Sequence, residues 1–236
     1  MNETVTLALI HSPLVGPFTW QPVCAELKKQ HVEALAPTLV DQPAAAAQGA
    51  ALPYWQQHAR SVAAHLAQVP LNRRIVLVAH SGAGPLLPVI RQALPHSIRA
   101  YVFVDAGLPR DGLSRLDLMK LQDQAWADEF QQSLLQGSRF PDWTADDLQD
   151  SIPDKEVRQH LMTEIRPRSL PFFIEPIPAF DGWPDAPCAY IRFSAPYTWD
   201  ADQARQSGWP VHEKAAGHFH MLVDPAAVAD WIVDVL

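Results

Sequence analysis

The sequence contains little cysteine and no long apolar run, and both shortages restrict what the protein can be. Its 236 residues include two cysteines, Cys24 and Cys188, too few for a disulfide framework and without the spacing of a metal site. Near the start, acidic Glu3 stands where a signal peptide is basic, and Pro13 interrupts the apolar run. We therefore predict a soluble cytoplasmic protein with no membrane partner.

Basic charge is also scarce. The chain has 18 Lys and Arg against 26 Asp and Glu, a net charge of -8, and its basic residues form no stripe that could follow a phosphate backbone. No glycine-rich phosphate cradle or dinucleotide fingerprint is present. We expect a small-molecule substrate, no nucleic-acid partner and no cofactor. The oligomeric state is left open.

Short apolar runs alternate with helical patterns along most of the chain. The runs lie at 5–10, 32–35, 75–79, 100–104, 189–193 and around Val211, and the helical patterns at 18–30, 54–69, 85–94 and 225–236. A loop is expected at 43–49. This alternation predicts an α/β fold with a mostly parallel sheet of about six strands and helices on both faces.

The alternation stops between residues 108 and 187. Helical patterns follow one another there without a strand, and a proline-broken stretch ends the segment. Open α/β sheets bind ligands at the carboxyl edge of their strands, which is where such an insertion would lie. We predict a core formed by 1–107 and 188–236 with a helical cap at 108–187. The alternative is that these are ordinary covering helices.

The stretch VLVAHSGAG ends a buried-strand pattern at a serine and continues directly into a helical pattern. A serine at such a turn has a strained backbone, and the residues two before and two after it must be small. Here they are Ala79 and Ala83. Ser81 would stand at the sheet's upper edge, with the N–H of Gly82 available to a developing negative charge. The alternative is a structural turn.

Three segments resemble the α/β-hydrolase superfamily and occur in its order. HSPLVGPFTWQPV is similar to the loop with a His-Gly pair after the first strand, VAHSGAG to the nucleophile elbow and AAGHFHMLVDP to the late histidine segment. The likeness runs from about residue 4 to the C-terminus, without the two leading antiparallel strands of the superfamily. The elbow of this chain differs from the usual one, since Ala79 and Ala83 stand where glycines are common.

The resemblance implies a histidine base, which a serine nucleophile requires. It places that base at His218, with His220 as the alternative, and gives His11 and His80 structural positions. A metal site at His212, His218 and His220 is the weaker interpretation because no carboxylate or cysteine completes a familiar spacing.

The acid has two candidate positions. In much of the superfamily it follows the strand that here reads CAYIRFS, and that position is Tyr197, with Asp200 slightly further on. In the haloalkane-dehalogenase-like branch it ends the preceding strand, where this chain has Asp105. A buried aspartate needs a partner, and a histidine would supply one. We favour Asp105 over Asp200; a dyad or another acid is the remaining alternative.

The first loop departs from the superfamily at the oxyanion hole. The second donor, beside the N–H of Gly82, normally follows the His-Gly pair. Here that pair is His11 and Ser12, and the next residue, Pro13, has no N–H. The resemblance therefore leaves the Leu14 amide or the Ser12 hydroxyl as the second donor.

The insertion is rich in aromatic side chains. They suggest an apolar roof over a substrate pocket, with simple core packing as the alternative; they are Trp126, Phe130, Phe140, Trp143, Phe172 and Phe173. We expect Trp126 to bind substrate.

These expectations favour a carboxylic-ester-type serine hydrolase that cleaves an ester, thioester or lactone through an acyl-enzyme. HSPLVGPFTW also looks like the loop of hydroxynitrile lyases, where a hydroxyl beside the histidine contacts substrate; Ser12 would take that part. A C–C lyase is thus one alternative. A ligand-binding homologue without turnover is the other.

Overall fold

One parallel sheet forms the centre of the molecule. The computed structural model describes residues 4–41 and 52–236; Glu3 and the loop expected at 43–49 lie outside the described residues. The sheet has the order β2-β1-β3-β4-β5-β6, and every pairing is parallel. Its strands are β1 Val5–Ile10, β2 Glu33–Leu35, β3 Arg74–Ser81, β4 Ile98–Ala106, β5 Cys188–Arg192 and β6 Val211–Glu213.

Among the described residues, helices lie between successive strands along the chain and after the last strand. They are α1 Gln21–Lys29, α2 Tyr54–Leu66, α3 Leu87–Ala93, α4 Arg115–Gln122, α5 Gln124–Leu135, α6 Lys155–Glu164, α7 Leu170–Phe173, α8 Thr198–Gln206 and α9 Pro225–Asp234. Within the part of the chain that the structure describes, no helix has the length and apolar content needed to cross a bilayer. The predicted α/β class, with about six strands, is confirmed.

The central strands are buried on both faces, which explains why their sequences are continuously apolar. Side chains of a strand alternate between the two faces. In β1, Leu7 and Leu9 pack with residues of α1 and α9, whereas Ala8 and Ile10 pack with residues of α2, α3 and α8. Two apolar layers therefore fix the sheet, and they hold the carboxyl ends of β3 and β4 in place.

The segment between β4 and β5 carries helices and no strand among its residues, as predicted. The helical pattern at 113–135 is divided at Asp123, which caps α5 by accepting a hydrogen bond from the Trp126 amide. Residues 145–151 form turns. Asp123 and Asp147 compete for nearby amides in non-helical conformations, which favours these interruptions.

The inserted segment contacts loops at the carboxyl ends of the strands. Arg168 Nη2 donates to the Pro13 carbonyl at 3.0 Å, and the Arg166 amide donates to the Leu14 carbonyl at 2.9 Å. Gln122 Nε2 donates to Asp200 Oδ2 at 3.0 Å. The insertion thus touches the loop after β1 and the start of α8. The division into a core at 1–107 and 188–236 and a cap at 108–187 stays a prediction.

Gly84 lies where the turn after β3 meets the loop after β4. A Cβ atom on Gly84 would lie 2.0 Å from the Gly107 carbonyl oxygen and 3.2 Å from Ala106 Cβ. Backbone cannot move aside as a flexible side chain can, so Gly84→Ala should lower the free energy of unfolding by about 3 kcal/mol. Urea denaturation followed by circular dichroism measures the difference.

Gly107→Ala is the matched control for this contact. Its Cβ would lie 3.6 Å from Pro85 Cγ, an ordinary van der Waals distance. It should change the free energy of unfolding by less than about 1 kcal/mol. Equal losses in the two variants would show that the close approach at Gly84 is not what limits this position.

Candidate active site

The chain turns from strand to helix at Ser81. This residue ends β3 with a φ of +57°, and a short 3-10 helix, Gly84–Leu86, leads into α3. Hydrogen bonds hold the turn, since the Gly107 amide donates to the Ser81 carbonyl at 3.2 Å and the Ala83 amide to the His80 carbonyl at 3.0 Å. Left-handed conformations in non-glycine residues cost energy and cluster at functional sites. Such a turn places the serine side chain at the sheet edge.

Asp105 lies next to the end of the neighbouring strand β4, at an irregularity in the pairing of β4 with β3. Its φ is +43°, and Ser81 and Asp105 are two of the three non-glycine residues with positive φ in the described residues. The Asp105 carboxylate is fully buried. It accepts hydrogen bonds from the amides of Phe193 and Ser194 at 2.6 and 3.0 Å and from Ser194 Oγ at 2.5 Å. These donors offset the cost of removing the charge from water.

His218 supplies one further donor to that carboxylate. Its Nδ1 lies 3.0 Å from Asp105 Oδ2, so Nδ1 carries the proton and Nε2 presents a lone pair. His80 Nε2 donates to the His218 backbone carbonyl at 3.0 Å. Burial lowers the pKa of His80 well below its usual value, which keeps that ring uncharged beside His218. An imidazole held in this tautomer is suited to accept a proton.

Asp200 lies elsewhere on the same edge. It is in the first turn of α8 and accepts hydrogen bonds from the Leu108 amide at 3.1 Å and from Gln122 Nε2 at 3.0 Å. Burial raises its pKa to about 7. Among the described residues it makes no hydrogen bond to His218, so the imidazole is paired with Asp105.

Tyr197 is the neighbour that sequence reasoning did not use. Its hydroxyl lies 3.0 Å from Ser81 Oγ, and its ring stacks on that of His218 with centroids 5.0 Å apart and planes 7° from parallel. No hydrogen bond joins Ser81 Oγ to His218 in the described part of the chain. The available signal was the position of Tyr197 after β5, because a side chain there must lie beside the imidazole.

The loop after β1 lies beside the turn after β3, and each contributes one free hydrogen-bond donor, Ser12 and Gly82. The Leu14 amide donates to Ser12 Oγ at 3.3 Å, so this amide is occupied. Neither the Ser12 hydroxyl proton nor the Gly82 N–H has an acceptor within the described residues. A Cβ atom on Gly82 would lie 3.6 Å from both Ser12 Oγ and Pro13 Cδ. Gly82 and the Ser12 hydroxyl, which carry the two free donors, therefore lie close together. Such a pair can stabilise a negatively charged oxygen.

Comparison with known proteins places this arrangement in a family. A model of the alpha/beta hydrolase family matches residues 7–231. The chain belongs to the alpha/beta hydrolase family. A search of curated proteins found no match to the sequence. The predicted resemblance and the predicted fold are both confirmed.

Solved structures extend the comparison of this alpha/beta hydrolase. An extracellular alpha/beta-hydrolase from a Paenibacillus species aligns over 98% of both chains with a TM-score of 0.76 and 20% identity; it is described as sharing structural and functional homology with tobacco salicylic acid binding protein 2. Polyneuridine aldehyde esterase aligns over 98% of this chain and 99% of its own, with a TM-score of 0.71 and 18% identity. Tomato methylketone synthase I with 2-tridecanone aligns over 98% and 97%, with a TM-score of 0.71 and 15% identity. At these identities the likeness establishes the shared fold alone.

The remaining histidines of this alpha/beta hydrolase have other contacts. His11 donates from Nδ1 to the Ser12 carbonyl at 2.8 Å and accepts from the Leu39 amide at Nε2, 3.1 Å away; burial lowers its pKa to about 3. His220 stacks on Trp231 of α9. In the described ranges no three His, Cys, Asp or Glu side chains are grouped to hold a metal ion, His212 included.

The aromatic side chains of the insertion pack mainly against one another. Phe172 and Phe173 are buried with Leu116 and Ala127 in a cluster that also contacts Leu14. Trp126 lies on α5, stacks on Phe130 and is 49% exposed. Core packing accounts for the buried members. Substrate binding by Trp126 stays a prediction.

Proposed function

We propose that this chain is a serine hydrolase that cleaves an ester, thioester or lactone of a small, largely apolar substrate through an acyl-enzyme. The observation that carries the proposal is the 3.0 Å bond between His218 Nδ1 and the buried Asp105 carboxylate, at the same sheet edge as Ser81. With its proton on Nδ1, the imidazole presents the Nε2 lone pair to an acidic hydrogen, as a general base must.

The proposed reaction begins with attack by Ser81 Oγ on the substrate carbonyl carbon. The serine proton passes to His218 Nε2, and the Asp105 carboxylate stabilises the imidazolium that results. As the tetrahedral intermediate collapses, His218 returns this proton to the leaving group. Water then attacks the acyl carbon while His218 accepts one of its protons, and His218 passes that proton to Ser81 Oγ as the bond between Ser81 Oγ and the acyl carbon breaks, which releases the carboxylic acid product and restores Ser81.

The charge on the substrate oxygen requires two donors. In this proposal they are the Gly82 N–H and the Ser12 hydroxyl, since Ser12 Oγ already accepts the Leu14 amide proton and keeps its own proton free. The hydroxyl thus replaces the amide that Pro13 lacks. Leu14 acts by orienting Ser12 rather than by contacting the oxyanion.

A second candidate function is C–C bond cleavage or elimination without an acyl-enzyme. The observation in its favour is the same free Ser12 hydroxyl, which could bind a substrate oxygen beside an unacylated Ser81. A binding protein without turnover is the third candidate, favoured by the bond from Ser81 Oγ to Tyr197 in place of one to His218. A small-molecule partner and a cytoplasmic location complete the proposal.

Hydrolysis of p-nitrophenyl esters of increasing acyl length tests these candidates. We expect turnover of the short esters, with an acyl adduct visible by intact mass after a rapid acid quench, and loss of both in Ser81→Ala. Turnover that occurs without any adduct and that persists in Ser81→Ala would contradict the acyl-enzyme. Reaction of Ser81 with an electrophile in the absence of ester turnover would favour the lyase.

A further inference from the structure

Tyr197 contacts both the nucleophile and the base of the proposed triad. Its hydroxyl is 3.0 Å from Ser81 Oγ, and its ring lies parallel to the His218 ring. The ring alone would suffice for packing against the imidazole. The hydroxyl is therefore the feature that requires an explanation, because it occupies a lone pair or the proton of the reacting oxygen.

The direction of this hydrogen bond follows from what each partner needs. Burial, together with the nearby carboxylates of Asp105 and Asp200, raises the pKa of the Tyr197 hydroxyl. The phenol therefore keeps its proton at neutral pH and can donate it. Ser81 must present its own proton to His218 Nε2 when it attacks, so only an oxygen lone pair is available for Tyr197.

We propose that Tyr197 is a further catalytic residue of this site: its hydroxyl donates a hydrogen bond to Ser81 Oγ and orients the serine proton toward His218 Nε2. The inference rests on the hydrolase function proposed above. Tyr197 keeps its proton throughout, while the serine proton moves to His218. The same donor stabilises Ser81 Oγ when it regains negative charge as the acyl-serine bond breaks in deacylation.

The position of Tyr197 on the histidine side separates its role from that of the oxyanion donors. Gly82 and Ser12 adjoin one another at the loop after β1, whereas Tyr197 follows β5 and stacks on His218. Strand β1 and strand β5 lie on opposite sides of β3 in the sheet. Tyr197 therefore stabilises the serine oxygen, and Gly82 together with Ser12 stabilises the substrate oxygen.

The test is Tyr197→Phe, which keeps the ring and its stacking and removes one hydroxyl. We expect the rate constant for labelling of Ser81 by a fluorophosphonate, and kcat for a p-nitrophenyl ester, to fall by about tenfold to a hundredfold. KM and the melting temperature should change little. Tyr101→Phe is the matched control, since it removes a hydroxyl that donates to Asp185 away from the site, and its rates should equal those of the wild type.

A second measurement examines the contact without using activity. The chain has four tyrosines, so the ¹³Cζ resonance missing from Tyr197→Phe belongs to Tyr197. It should shift in Ser81→Ala, while the other three do not. Because Tyr197 is the tyrosine whose hydroxyl contacts Ser81 Oγ, a shift of one of the four resonances in Ser81→Ala reports the contact even where Tyr197→Phe folds poorly and cannot supply the assignment.

Unchanged rates in a folded Tyr197→Phe variant would overturn the inference. Faster labelling would overturn it as well, because the hydroxyl would then hold the serine away from the base. An unshifted Tyr197 resonance in Ser81→Ala would remove the contact itself. Failure of the wild type to label at Ser81 would instead contradict the hydrolase function, so the two failures are distinct.

Discussion

Asp105→Asn should lower kcat for a p-nitrophenyl ester by about 10³-fold to 10⁴-fold. In the proposed mechanism the carboxylate accepts the Nδ1 proton of His218 and fixes the tautomer in which Nε2 acts as the base. An amide at this position offers N–H groups where donors already converge, so it favours the tautomer with the proton on Nε2. Steady-state kinetics on the purified variant measure the effect.

Asp200→Asn is the matched control for this prediction. It replaces another buried aspartate of the same edge, one bonded to Leu108 and Gln122 rather than to the imidazole, and kcat should fall by less than about tenfold. A larger loss in Asp200→Asn than in Asp105→Asn would transfer the role of the acid to Asp200. Equal small losses would remove the assignment of either residue.

A second variant tests the role of the Asp105 carboxylate while leaving the carboxylate itself in place. Ser194→Ala removes a donor to the Asp105 carboxylate and keeps the bond from the carboxylate to His218. It should retain more than about a tenth of wild-type kcat, because the tautomer is preserved. A loss as large as that of Asp105→Asn would mean that the carboxylate acts only as a structural acceptor.

Removal of the base should be as damaging as removal of the nucleophile. We expect His218→Ala and Ser81→Ala each to lower kcat on the order of 10⁴-fold to 10⁶-fold, and the double variant to lose little more than either one. Residues that act in a single step lose their function together, so their effects do not add. Initial rates of ester hydrolysis for the four proteins measure this.

His220→Ala is the control for the base. The His220 ring stacks on Trp231 and lies outside the contacts of Asp105, so hydrolysis should continue at a rate close to that of the wild type. Additive losses in the Ser81 and His218 double variant would contradict a shared step. So would a loss in His220→Ala comparable with that in His218→Ala.

The fold was largely predictable because its central strands are buried on both faces. The middle of a strand such as β3 is continuously apolar, and the run at 75–79 stands out for that reason. The C-terminal helix was equally clear, since Asp224 caps it and Pro225 occupies its first turn. The break at Asp123 was harder to foresee, because the apolar pattern continues from α4 into α5 and only the side-chain bond to the Trp126 amide ends the helix.

The candidate site was only partly predictable. Ser81 and His218 were selected by local sequence and a resemblance, and the choice of Asp105 relied on the cost of burying an unpaired carboxylate. The contact of Tyr197 with Ser81 depends on two loops that are 116 residues apart, so no local pattern encodes it. The proposed preference for Ser12 over Leu14 as an oxyanion donor also required geometry, because the Leu14 amide already donates its proton to Ser12 Oγ.

Labelling with a fluorophosphonate followed by intact mass and peptide mapping tests the central claim most directly. The account predicts one adduct per chain, located on Ser81, absent from Ser81→Ala and formed far more slowly by Asp105→Asn than by Asp200→Asn. A folded wild-type protein that forms no adduct, or forms it on another residue, would contradict the claim that His218 activates Ser81.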